Sequence, residues 1–123
     1  MKRVFIDTNV LLTLANKSRI LDSIHENIPE AEIVVLEGIL NELEKIEARG
    51  GADGRAAKLA KTIIKKQDLK TITHSQPYVD TALVAVANQE DAIITLDKEL
   101  QSQARNAGIA VFTIARTQLR RVR

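Results

Sequence analysis

Four acidic residues, Asp7, Glu42, Asp80 and Asp97, have the types and spacing to do chemistry in this 123-residue sequence. Asp7 comes directly after the apolar run Val4-Phe5-Ile6, and Asp97 follows Ala92-Ile93-Ile94-Thr95 by one residue. Glu42 stands in helical text after Ile33-Val34-Val35-Leu36, and Asp80 in the first turn of a helix after Leu69-Lys70-Thr71-Ile72. Taken singly, each has an ordinary explanation. Asp7 and Asp97 can cap helices, Asp80 can complement a helix dipole, and Glu42 can be a solvated helix acid. Capping, however, does not require one acid per structural unit on a shared edge. Carboxylates gathered on one edge raise each other's pKa values unless a cation sits among them. With no cysteine and no paired histidine, oxygen ligands of this kind suit Mg²⁺ or Mn²⁺. Such an ion can activate water and neutralise a phosphodiester during in-line displacement.

The elements that must position these acids follow from the apolar pattern. Short β-rich runs alternate with helical text, which predicts parallel strands joined by crossover helices. Five strands are expected: Val4–Ile6, Ile33–Leu36, Leu69–Ile72, Ala92–Thr95 and Ile109–Ile114. Val10, Leu11 and Leu14 share a face in the first helix, and a second short helix runs from about Arg19 to Glu26. Ile39, Leu43 and Ile46 give the stripe of the helix that carries Glu42. Gly50-Gly51-Ala52-Asp53-Gly54 ends that helix and permits a reversal. A basic amphipathic helix is expected from about Arg55 to Lys66, with Ala56, Leu59, Ala60 and Ile63 inward. Pro77 should open the helix carrying Ala82, Leu83, Val86 and Ala87, and Gly108 should stop the helix marked by Leu100 and Ala104. Residues after Ile114 read as a basic tail. No repeat, low-complexity segment or linker divides the chain, so residues 1–123 are expected to form one α/β domain.

Composition narrows the function. The chain has 45% hydrophobic and 28% charged residues, an ordinary globular balance. No disulfide framework or thiolate zinc site is available. The first apolar run is too short for a signal peptide and no stretch is long enough to cross a bilayer, so a cytoplasmic protein without membrane attachment is expected. Net charge is only +2, but with the four acids set aside 18 Lys+Arg face 16 − 4 = 12 acids. The remaining +6 could hold a phosphate backbone. Arg55 and Lys58 on the basic helix, and Arg116, Arg120 and Arg121 in the tail, are the candidate phosphate-binding residues. A solvated helix face and a frayed end account for them equally well. Two Phe, one Tyr and no Trp argue against aromatic stacking as the main mode of recognition. His25 and His74 are isolated and read as structural or surface residues. No Ser-His-Asp grouping is present, and no Gly-Lys-Ser/Thr follows the glycine-rich stretch to make a P-loop. An aspartyl-phosphate hydrolase of the haloacid-dehalogenase type would want a second Asp where this chain has Asn9.

Val4-Phe5-Ile6-Asp7-Thr8-Asn9-Val10-Leu11-Leu12 resembles the opening motif of PIN domains, the nuclease fold named after the PilT amino terminus. Ile39-Leu40-Asn41-Glu42-Leu43-Glu44 resembles their second motif. Val79-Asp80-Thr81-Ala82-Leu83-Val84-Ala85-Val86-Ala87 resembles the third, and Ile94-Thr95-Leu96-Asp97-Lys98-Glu99-Leu100 the fourth. The likeness spans nearly the whole chain in the right order. It implies a three-layer α/β/α sandwich with a central, mainly parallel five-stranded sheet and a Mg²⁺- or Mn²⁺-dependent ribonuclease, of the endoribonuclease kind. On that resemblance Asp7, Glu42, Asp80 and Asp97 are metal ligands and catalytic residues, with Thr8, Asn9 and Thr95 as supporting groups at the rim. Leu96 stands where members commonly carry a further acid or Asn, so the resemblance implies one firmly held ion and leaves a second open. Two branches compete. VapC toxins are short and pair with an antitoxin; the other branch holds rRNA-processing endonucleases of the small-subunit processome and their small archaeal relatives. Residues 54–60 and 113–120 look more like the second. The partners implied are an RNA substrate, an antitoxin or ribosome-assembly partner, and a homodimer left open. The alternative is a non-catalytic RNA-binding or ribosome-assembly module on the same fold.

Overall fold

The apolar runs become strands of a single sheet. The computed structural model describes residues 1–17 and 19–123. In chain order the elements are β1 (Arg3–Ile6), α1 (Thr8–Asn16), α2 (Arg19–Asn27), β2 (Glu32–Leu36), α3 (Glu37–Arg49) and α4 (Gly51–Lys66). There follow β3 (Lys70–Ile72), α5 (Val79–Val86), β4 (Ala92–Ile94), α6 (Lys98–Asn106), β5 (Ala110–Ala115) and β6 (Gln118–Val122). The sheet order is β3-β2-β1-β4-β5-β6, parallel except for β6. Central strands in such a sheet are covered on both faces, so their side chains need not alternate. Val4, Phe5 and Ile6 of β1 and Ala92, Ile93 and Ile94 of β4 are accordingly fully buried.

Right-handed crossovers put α1 to α4 on one face and α5 and α6 on the other. The packing agrees, since α4 lies against α1 and α3, and α5 against α6. After β3 the chain returns to the far side of β1 to form β4, so strand order reverses between β1 and β4. In open parallel sheets the carboxyl edge at such a reversal is where ligands bind. The three-layer, mainly parallel architecture is the one expected.

Three details differ from expectation. The segment read as a basic tail is instead a sixth strand, hydrogen-bonded antiparallel to β5 from Ala115↔Gln118 to Val111↔Val122. Arg116 makes the turn with a left-handed φ of 61°. Ser23 of α2 anchors the strand, its Oγ accepting the Leu119 N–H at 2.9 Å. The strand's alternation is masked by arginines, and charge of that kind keeps an edge strand from pairing with another chain.

Helix α4 also begins earlier and is rotated. Ala56, Ala57, Ala60 and Ile64 face inward, whereas Leu59 is 48% exposed. Close approach to α3 explains the choice of small residues. A Cβ added at Gly54 would lie 3.1 Å from the Glu47 carbonyl oxygen. Gly50 and Gly51, both at positive φ, make the reversal between the two helices. Helix α5 starts at Val79 rather than at Pro77, leaving Tyr78 extended at its N-terminus. Among the described residues, no helix is long and apolar enough to cross a membrane.

Candidate active site

Asp7 is the first residue beyond β1, and its N–H still donates to the Ile94 carbonyl of β4 at 3.0 Å. The β1–β4 ladder therefore carries it to the carboxyl edge, where it N-caps α1. It is only 6% exposed. Its Oδ1 accepts the Thr8 N–H and its Oδ2 the Thr95 hydroxyl, both at 2.8 Å. Two threonines then tie the neighbouring acids to this point. The Thr8 hydroxyl donates to Glu42 Oε2 at 2.8 Å, which draws the α3 glutamate over the sheet edge. The Thr95 hydroxyl accepts the Asp97 N–H at 3.1 Å. Thr95 itself is fully buried, and its carbonyl accepts the Gln101 side-chain amide at 2.9 Å. Asp97 caps α6, with Oδ1 taking the N–H groups of Glu99 and Leu100 at 2.8 and 3.2 Å.

Asp80 approaches from the first turn of α5, and among the described residues its carboxylate has no ion pair. It shares a cleft with Glu42, Tyr78, Glu99 and Gln103. Burial pushes the Asp7 carboxyl above the usual aspartate range, against the pull of its bonds to Thr95 and Thr8, and the charges of Glu42 and Asp97 add to the rise. Asp80 is also raised, first by partial desolvation and then by the charges of Asp7, Asp97 and Glu99. The four expected acids thus lie within one another's fields. None of them is ion-paired to a Lys or Arg among the described residues. As the side chains stand, no three His, Asp or Glu groups among the described residues are drawn tightly enough to cage a metal ion.

The remaining expected residues divide. Thr8 and Thr95 sit between the carboxylates. Asn9 is exposed and lines a separate cavity with Leu12, Ile46, Arg49 and Asp53, between α1 and the α3–α4 turn. Arg55 and Lys58 are on the exposed face of α4 and line neither cavity beside Glu42. Arg116 is in the β5–β6 turn, at the carboxyl end of β5, and Arg120 is exposed on the edge strand opposite Thr113. The structure does not bring Arg121 to this edge. Its guanidinium lies 5.8 Å from the Phe112 ring centre, beside a cavity lined by Met1, Lys2 and Glu90 at the opposite end of the strands.

Sequence reasoning missed several groups at the cleft. Glu99 was hidden because it reads as an ordinary first-turn acid of α6. Lys45 lines a second cavity that shares Glu42 and Val79 with the first, and nothing in its helical context set it apart. His74 lines that cavity as well and has a bracing role. Its Nε2 accepts the Gly38 N–H at 3.1 Å, and its Nδ1 hydrogen-bonds the Gln76 carbonyl at 2.8 Å. A carbonyl can only accept, so Nδ1 carries the proton. The ring thereby satisfies one of the free N–H groups at the start of α3. It also ties the β3–α5 loop to the helix bearing Glu42. A Cβ at Gly38 would fall 2.6 Å from His74 Nε2, so a larger residue there would displace the ring from its bond to the Gly38 N–H.

Comparison with known proteins places the family and the fold. Residues 4–117 match the family described as PIN like domain, and the chain belongs to that family. In fold it is similar to the structure of the PIN domain endonuclease Utp24, with a TM-score of 0.74 and 21% identity over 98% of this chain and 91% of that one. It is also similar to a domain of a functionally unknown protein from Methanocaldococcus jannaschii DSM 2661, with a TM-score of 0.68 and 19% identity over 94% and 92%. No curated protein matches the chain.

Proposed function

We propose that this protein is a metal-dependent endoribonuclease in which Asp7, Glu42, Asp80 and Asp97 hold Mg²⁺ or Mn²⁺. The observation that carries the reading is a buried, raised Asp7 joined through two threonines to Glu42 and Asp97, with Asp80 in their field and, among the described residues, no basic side chain paired to any. Uncompensated carboxylates cost folding energy. Their retention at the strand-order reversal, in a PIN like domain, is what a cation site requires. Oxygen donors alone fit a hard divalent ion. When bound, such an ion supplies charge neutralisation at a phosphodiester and a more acidic water. The chain's own part is to hold the ligands. Thr95 and Thr8 keep Asp7 oriented, Thr8 holds Glu42, and the α6 cap fixes Asp97. The fold likeness to an endonuclease supports internal cleavage, and the excess of basic residues outside the site supports a nucleic-acid substrate. The ribosomal-RNA branch is preferred to the toxin branch on residues 54–60 and 113–120, with an assembly factor rather than an antitoxin as partner.

Cleavage of an RNA panel in Mn²⁺, with chelator and Asp80→Asn as controls, tests the reading. Equal cleavage by wild type, Asp80→Asn and chelated protein would falsify it. One observation favours a second reading, a non-catalytic RNA-binding module, because no three of the acids are gathered tightly as they stand. RNA binding without any metal-dependent cleavage would establish that alternative.

A further inference from the structure

The chain has one tyrosine, and it is not in the core. Tyr78 is 73% exposed, whereas both phenylalanines are buried. An exposed aromatic ring forgoes the burial that would otherwise stabilise it. This one lies in the same cleft as Asp80 and Glu42, two residues before Asp80. Its loop is braced: His74 bonds to Gly38 and Gln76, Pro77 restricts the backbone, and the Tyr78 carbonyl accepts the Ala82 N–H at 2.9 Å. The ring is therefore presented from fixed backbone, which lowers the ordering cost of binding. The acids around it repel phosphate and leave a flat neutral face. Across Glu42 and Val79 the adjoining cavity holds Lys45, which has no ion pair among the described residues.

We propose that Tyr78 is a stacking platform for one unpaired base beside the cleaved phosphate, while Lys45 holds a neighbouring phosphate, so the site takes single-stranded RNA. The inference rests on the ribonuclease reading above. A base within a duplex has both faces covered by its neighbours, whereas an unpaired base can lie on an aromatic ring. The ring selects for strandedness and the lysine contributes affinity without sequence preference.

With no tryptophan and a single tyrosine, intrinsic fluorescence reports on Tyr78 alone. The protein is titrated with a short single-stranded oligoribonucleotide, and with the same sequence in duplex form, using Ca²⁺ in place of Mg²⁺ to slow turnover. The single strand is expected to quench the emission and the duplex to leave it unchanged. Binding followed by anisotropy is expected to weaken about ten-fold in Tyr78→Ala and to recover in Tyr78→Phe, which keeps the ring. Lys45→Ala is expected to reduce the salt dependence of binding by about one counterion. Single-strand binding with unchanged emission, or a Tyr78→Ala variant that binds like wild type, overturns the platform and leaves the ribonuclease reading standing. Equal quenching by duplex overturns the strand selectivity. Absence of binding by any RNA overturns both this inference and the reading beneath it.

Discussion

Asp7 and Asp91 are buried at opposite ends of the same strand pair, and their surroundings treat the charge in opposite ways. Asp91, just before β4, is 1% exposed. Arg3, which opens β1, gives it three bonds: backbone N–H to Oδ1 at 3.1 Å, Nε to Oδ1 at 3.3 Å and Nη2 to Oδ2 at 2.8 Å. The Asn88 N–H adds a fourth at 3.0 Å. Burial pushes the Asp91 carboxyl up, but the Arg3 and Asn88 bonds and the Arg3 charge together hold it below the usual range. Asp7 is also buried and has two good bonds but, among the described residues, no cationic partner, so burial keeps its carboxyl raised and the charges of Glu42 and Asp97 add to the rise. The Asp91 edge is a closed structural joint, its charge balanced within the chain. At the Asp7 edge no cation of the described residues balances the charge. Burial alone therefore does not mark function; the sign of the neighbours does.

The largest effect expected is on turnover. Asp80→Asn removes a carboxylate that has no ion pair among the described residues, so RNA cleavage in Mn²⁺ should fall by about three orders of magnitude, or about 4 kcal/mol, with the fold intact. Single-turnover rates beside a circular dichroism melt would measure both. At the other edge the outcome is reversed. Asp91→Ala leaves Arg3 without its partner and should cost about 3 kcal/mol in urea unfolding, the low end for a buried pair because Arg3 is partly exposed. Its Mn²⁺ affinity should not change, and a loss of affinity would show that the two edges are not independent.

A divalent ion should remove the contrast by balancing the open edge. Mn²⁺ at about one hundred times its dissociation constant should add about 2.7 kcal/mol of stability. Isothermal titration together with thermal melts would check this, and an unchanged melting temperature at saturation would count against a site. Thr95→Val takes the hydroxyl from Asp7 and the acceptor from the Asp97 N–H. It should cost about 2 kcal/mol and raise Asp7 further, moving the acid limb of the activity profile to higher pH.

The smallest effects concern pH without metal, and here the edges should have opposite signs. Asp7 and Asp80 are raised, so the folded chain holds protons that the unfolded one releases. Their contribution makes stability fall as pH rises from the ordinary aspartate range through the raised folded values, with no further change above. The stabilisation from Asp91 is present above the ordinary range and is lost as pH falls through its lowered folded value. Asp80→Asn should therefore gain a few tenths of a kcal/mol in metal-free protein near neutral pH, after allowance for solvent screening. Urea midpoints across the acid range for Asp80→Asn and Asp91→Ala would separate the two slopes.

Much of the fold could be read from residue order. Strands covered on both faces must be continuously apolar, so Val4–Ile6, Ile33–Leu36 and Ala92–Ile94 were evident from local text. An acid placed just after such a strand has little freedom, so Asp7 and Asp97 were legible with them. The sixth strand was not, because Arg120 and Arg121 face solvent and make no apolar alternation. The rotation of α4 was equally hidden: Leu59 and Ile63 offered as good a stripe as the alanines, and only the closeness of α3 and α1 favoured small residues.

Types, order and strand-end positions thus sufficed for the class of fold and for the placement of Asp7 and Asp97, because local backbone geometry sets where a residue after a strand can go. Glu42 and Asp80 reach the same edge only through the packing of α3 and α5. Which charges would meet was decided in three dimensions. Arg3 and Asp91 are 88 positions apart, as are Asp7 and Thr95, yet one pairing neutralises a carboxylate and the other only orients it. The exposure of Tyr78 at the cleft and the tie between His74 and Gly38 likewise depend on how α3 and the β3–α5 loop pack. Sequence separation carries no record of such packing, since electrostatic and hydrogen-bond energies depend on distance through space.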